Sequence, residues 1–86
     1  MAEHTVVFAR SARRELERLE AGEARRIISR VEALAKDPRP HGCVKLQGAA
    51  DLWRIRVGDY RVIYSLDDNA RLVDIRVVRH RSDAYR

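Results

Sequence analysis

Three arginines, Arg54, Arg56 and Arg61, fall within the short stretch LWRIRVGDYRVIY at 52–64. A guanidinium stays protonated at any useful pH and grips phosphate or carboxylate with a planar fork of N–H donors. Whether these three act together depends on spacing. Alternating apolar residues on both sides of Gly58-Asp59 are a hairpin signal, and a two-residue loop fixes which residues lie opposite one another. Val57 then faces Tyr60, Arg56 faces Arg61, Ile55 faces Val62 and Arg54 faces Ile63. Side chains alternate between sheet faces with period two. One face therefore carries Trp53, Ile55, Val57, Tyr60, Val62 and Tyr64, and the other carries Arg54, Arg56 and Arg61. Like charges opposite one another destabilise a sheet. An anionic partner would relieve that repulsion, so the arginine face is the candidate site and the apolar face the candidate core.

Several elements must position this hairpin. His4–Ala9 is rich in β-formers and reads as a first strand. Ser11 is a candidate N-cap for a helix running to about Ala21, with Ala12, Leu16 and Leu19 as a narrow apolar stripe. Gly22 breaks it. A second helix from Glu23 to about Lys36 places Ala24, Ile27, Ile28, Val31, Leu34 and Ala35 on a core-facing side. Asp37-Pro38-Arg39-Pro40 stops this helix. Two helices with so short a break should form an antiparallel pair. His41–Asp51 reads as irregular. After the hairpin, Asp67-Asp68-Asn69-Ala70 is a turn, and Arg71–Arg79 is a third strand of the meander with Leu66 facing Arg71. Val73, Ile75 and Val77 then join the apolar face. Asp74, Arg76, Val78 and, if the strand extends, His80 join the arginine face. The order β-α-α-β-β-β predicts a two-layer α+β domain, an antiparallel-rich sheet covered on one face by a helical hairpin.

The chain has 86 residues, enough for one domain spanning 1–86, with a formal charge of +5. A chain this short buries a modest fraction of its surface. At 45% hydrophobic it has the composition of a globular protein. Of its 18 basic residues only Lys36 and Lys45 are lysines. A GC-rich genome would account for the ratio, but not for the placement of arginines on one sheet face. The basic balance favours RNA, DNA or an acidic protein as partner. Cys43 is the lone cysteine, so no internal disulfide forms, as fits a reducing cytoplasm. No signal-peptide core and no membrane-length apolar run stand out. One Cys and the scattered His4, His41 and His80 make no zinc pattern, and no cofactor or metal is expected.

Taken in order, ARSARRELERL near the start, KDPRPHG and KLQG after the second helix, LWRIRVGDYRVIY, and HRSDAYR at the end resemble a RelE-type toxin of the RelE/ParE superfamily of bacterial type II toxin–antitoxin systems. The resemblance covers nearly the whole chain. It implies a small sheet with two helices on one side, a cognate antitoxin as partner in a toxin–antitoxin hetero-oligomer, and a cytoplasmic setting. For the RelE branch it also implies entry into the ribosomal A site and metal-independent cleavage of mRNA, in which the ribose 2′-hydroxyl attacks the adjacent phosphate. Such chemistry needs positive charge around the phosphorane, a base, and an acid for the leaving oxygen.

The resemblance distributes these roles over particular residues. Arg61 stands where the family's phosphate-stabilising arginine lies. Arg54 and Arg56 stand at positions that are lysines in the best-known RelE-type enzymes, so they can bind phosphate but cannot act as bases. His80 falls at a basic position after the last strand, and a histidine titrates near neutrality, which suits proton transfer. Tyr85 matches a C-terminal tyrosine that stacks on a base or assists proton transfer. Lys45 matches a recurrent lysine that contacts RNA backbone, and Arg76, Arg79 and Arg81 join the RNA-binding set. The plain alternatives are solvated strand residues, ion pairing with Asp74, a structural histidine and a packing tyrosine. Trp53, Tyr60 and Tyr64 read as core. Two other functions compete: a ParE-like inhibitor of DNA gyrase without nuclease chemistry, and a degenerate module that binds only its antitoxin.

Overall fold

The computed structural model describes residues 3–48 and 51–82. Five strands and two helices follow the order β1 (Thr5–Phe8), α1 (Arg10–Arg18), α2 (Ala21–Ala33), β2 (Val44–Lys45), β3 (Leu52–Val57), β4 (Tyr60–Asp67) and β5 (Leu72–His80). The sheet order is β1-β5-β4-β3-β2. β1 pairs in parallel with β5 and the other neighbours are antiparallel. The helical hairpin therefore joins one sheet edge to the other, with α1 against β5 and α2 against β3.

The expected apolar alternation sets the core. Ala12 and Leu16 of α1, Ile27 and Val31 of α2, and Leu34 at its end meet Ile55, Val57, Val62, Tyr64, Leu66, Val73, Ile75 and Val78. Each large side chain buried this way contributes about 1.5–3 kcal/mol. Tyr64 is fully buried, and its hydroxyl donates to the Pro38 carbonyl at 2.7 Å. That bond ties the segment after α2 to the sheet, and burial pushes the phenol pKa well above its ordinary range.

The β3–β4 register agrees with the sequence reading, including Arg56↔Arg61 and Val57↔Tyr60. Gly58 takes φ 60°, while Asp59 is not among the positive-φ residues. That combination is what a type II′ hairpin turn requires.

Five local expectations need correction. Ser11 is not the cap: Ala9 occupies that position without a side-chain cap bond, and the Ser11 hydroxyl instead donates to the Arg76 carbonyl at 3.3 Å. Gly22 lies inside α2, because the inter-helix break falls at Leu19-Glu20. Val44–Lys45, read as irregular, pairs as an edge strand with β3. The β4–β5 register is Leu66↔Val73, not Leu66↔Arg71, and Arg71 turns the chain at φ 54°. Within that turn Asp67 Oδ1 accepts from the Ala70 N–H at 2.9 Å, an Asx-type closure.

The fifth correction matters most for function. The β4–β5 ladder breaks between Ile63 and Tyr64: Tyr64 pairs with Ile75 but Ile63 pairs with Val77. Arg76 is the extra residue of a β-bulge, and everything after it changes face. Val78 is buried opposite Val62, whereas Val77 stands beside Ile63 on the open face. Arg79 rather than His80 joins the arginines. His80 pairs with Tyr60, their rings meeting edge-on at 5.2 Å between centroids.

Far from this end, Asp68 in the β4–β5 turn accepts from Arg39 at 2.8 Å and 3.4 Å and from His4 Nε2 at 3.2 Å. The Arg39 guanidinium also lies 5.0 Å from the centre of the Trp53 ring. The Arg39 bonds, then the His4 bond, hold the Asp68 carboxyl below its ordinary value of 3.8. A depressed folded-state pKa gives stability that is present above the unfolded value and lost as pH falls through the folded one. We expect Asp68→Asn to remove part of the acid-induced loss of stability below about pH 4. Urea melts at pH 3 and pH 6 check this: the stability difference between the two pH values should be smaller in the variant than in the parent.

Candidate anion-binding face

The sheet face opposite the helices is built in rows, because directly paired residues point the same way. Arg56, Arg61 and Arg79 form one row across β3, β4 and β5. The next contains Val44, Arg54, Ile63 and Val77. The one after contains Leu52, Ser65, Asp74 and Val7. Arg56 and Arg79 are exposed, whereas Arg54 and Arg61 are half-buried with their Nε atoms shielded from solvent.

Arg76 also reaches this face. Its guanidinium meets Asp74 Oδ2 at 3.2 Å. The placement of Arg54, Arg56 and Arg61 on the face away from the helices agrees with the sequence reading.

Other candidates lie elsewhere. Lys45 pairs with Trp53, so it points to the helix side of the sheet. Arg81 leaves the sheet beside the hairpin turn: its N–H donates to the Asp59 carbonyl at 2.7 Å, and its Nε lies 3.9 Å from Asp59 Oδ1. His80 faces Tyr60, and its Nδ1 accepts from the Ser82 N–H at 3.2 Å and contacts Ser82 Oγ at 2.8 Å. That contact makes Nδ1 the acceptor and places the proton of a neutral ring on Nε2. Tyr85 lies outside the described residues.

Sequence reasoning missed Arg79 as a row member and the apolar strip beside it. The signal for both was the doublet Val77-Val78. Two adjacent apolar residues interrupt strict alternation, as happens where a bulge inserts a residue.

The fold has counterparts among known proteins. Residues 6–85 match the family described as the ParE toxin of the type II toxin–antitoxin system parDE. The chain belongs to the RelE/ParE toxin superfamily. Toxin RelG of Mycobacterium tuberculosis is 34% identical over 88 residues, covering 96% of this chain and 97% of the relative. Among solved structures, the archaeal RelE–RelB complex from Pyrococcus horikoshii superposes with a TM-score of 0.82 at 30% identity, covering 92% of this chain and 96% of that one. The toxin–antitoxin complex RelBE2 of Mycobacterium tuberculosis gives 0.81 at 30% identity, covering 92% and 99%. The isolated Escherichia coli RelE toxin, at 23% identity over 95% of this chain and 90% of its own, shares the fold with a TM-score of 0.79.

The row has an energetic signature. Guanidinium groups paired across strands repel by about 0.2–1 kcal/mol per contact, and salt screens exposed charges. We expect Arg56→Gln to stabilise the free toxin by about 0.5 kcal/mol at low salt, with the gain shrinking as sodium chloride is raised. Thermal melts of parent and variant at low and high salt measure it.

Proposed function

We propose that this toxin is a ribosome-dependent mRNA endonuclease whose arginine row, Arg56, Arg61 and Arg79, binds the scissile phosphate and stabilises the phosphorane as the 2′-hydroxyl attacks. The observation that carries the reading is the row itself: three permanent cations paired across adjacent strands on the sheet face away from the helices. Preorganised donors aimed at developing charge commonly lower the barrier of such reactions more than any other effect. Arg54, one row away, extends the contact along the RNA backbone.

The guanidinium groups supply charge and not proton transfer. His80 is turned toward Tyr60 rather than into the row, so its part is to hold the chain as it leaves β5. Proton handling falls to Tyr85, on the resemblance, or to the ribosome. The partner that silences the toxin is an acidic antitoxin segment that folds on binding. This rests on the basic face and on the solved relatives, which are named as RelE–RelB and RelBE2 toxin–antitoxin complexes. Gyrase inhibition is the competing activity, because the matching family description is that of ParE.

Primer-extension mapping of mRNA from cells expressing the chain distinguishes these activities. Cuts inside translated codons support the nuclease, and unbroken mRNA with arrested gyrase overturns it. On programmed ribosomes, Arg61→Ala should lower single-turnover cleavage by roughly 10²–10³-fold, the usual cost of losing a transition-state donor. We expect His80→Gln to cost less than about 10-fold, below the range for a group that itself moves the proton. A loss as large as that of Arg61→Ala would return His80 to the chemistry.

A further inference from the structure

The open face does not end at the cations. Beyond the arginine row, Ile63 on β4 and Val77 on β5 form an apolar pair, with Arg54 on β3 beside Ile63 and Val44, which is 42% exposed, outside Arg54. Beyond the apolar pair lies a polar pair, Ser65 and Asp74, directly opposed on β4 and β5. Val7, 38% exposed, closes that row on β1. Same-face rows are separated by two residues, about 6.6 Å along a strand. Cation, apolar surface and carboxylate thus follow one another in the order of phosphate, base plane and base edge in a nucleotide.

Resting on the nuclease reading above, we propose that Ile63, Val77, Ser65 and Asp74 form a base-reading site for the nucleotide whose phosphate sits on the arginine row, and that the site selects bases carrying an exocyclic amino group over uracil. Three observations support this. First, a carboxylate on a phosphate-binding face repels phosphate, so its useful ligand is a hydrogen-bond donor. Second, the carboxylate is oriented: Arg76, the bulge residue, holds Oδ2 at 3.2 Å, while Oδ1 takes no hydrogen bond among the described residues. The Ser11 hydroxyl on the Arg76 carbonyl in turn fixes the bulge to α1. Third, on β4 and β5 the surface between carboxylate and cations, Ile63 and Val77, is apolar and half-buried, which suits the flat face of a base rather than a second phosphate.

The selection follows from donor and acceptor chemistry. Cytosine, adenine and guanine offer an N–H₂ group that an ionised carboxylate accepts, whereas uracil presents carbonyl oxygens on both sides of its single N–H. Single-stranded RNA leaves these edges open to side chains.

The test uses the whole toxin and fluorescent RNA trinucleotides that differ only in the central base, uridine, cytidine, adenosine or guanosine. A 2′-O-methyl group on each nucleotide blocks cleavage. Anisotropy titrations at low salt should show the amino-bearing bases bound on the order of 5-fold tighter than uridine, the worth of one hydrogen bond near 1 kcal/mol. Asp74→Asn, which can still accept from Arg76 but adds a donor, should bring all four within about 2-fold. Ser65→Ala should narrow the ratio without abolishing binding. Equal affinity for the four bases in the parent, no binding of any of them, or an unchanged ratio in Asp74→Asn would each overturn the proposal. Arg61→Ala separates this site from the catalytic reading. It should weaken all four RNAs alike, and a preserved base preference with unchanged overall affinity would count against the arginine row and not against Asp74.

Discussion

The completion of the arginine row, and the apolar pair beside it, depend on a single-residue mismatch between β4 and β5. A sheet with one buried side must alternate strictly, and the core demands Val73, Ile75 and Val78 inward. Those three numbers cannot share one parity. The bulge at Arg76 absorbs the difference, and the ladder resumes with Val77 and Arg79 outward. Without that step, Val78 would face away from the core and the third arginine would be directed toward the helices. Burial of a valine, worth roughly 1.5–3 kcal/mol, far outweighs the repulsion of a guanidinium pair. The apolar side therefore dictates the register, and the charged side accepts the arrangement that results.

The β3–β4 hairpin was legible because its turn is only two residues long. Gly58-Asp59 leaves one register, and the register leaves one assignment of faces. The two-layer architecture followed from apolar spacing in α2 and from the apolar side of the meander. The β4–β5 turn offered no such constraint: the loop could close at several lengths, and Arg71 with φ 54° is not a residue type that announces a left-handed position. The bulge left only Val77-Val78 as a trace. His80 was misplaced for that reason, and Arg79 was read as its neighbour when it is the residue on the face. Ser11 shows the same limit at smaller scale. Its type suits a cap, but its hydroxyl finds a carbonyl far away in sequence, which no local pattern encodes.

The face is chemically graded rather than uniformly basic. Cations concentrate in the row nearest the hairpin turn, the middle row pairs Arg54 with the aliphatic Ile63 and Val77, and Asp74 with its bonded Arg76 stands toward β1. A uniformly positive sheet would hold any polyanion in any register. A graded one constrains how an anionic ligand can lie, because its charge is drawn to the arginines and repelled by the carboxylate. Half-buried Arg54 and Arg61 next to exposed Arg56 and Arg79 add rigidity in the centre and adaptability at the sides.

The strand order carries a consequence for synthesis. β5, the last strand along the chain, lies between β1 and β4, so β1 has no other strand to pair with until it arrives. α1 packs on that same late strand. A nascent chain can form the β3–β4 hairpin and α2 early, but its sheet stays incomplete until the final strand leaves the ribosome, seconds after the first at roughly 5–20 residues per second. The row completed by Arg79 is assembled at the same moment. Among the described elements, the arginine row is therefore one of the last features to form during translation.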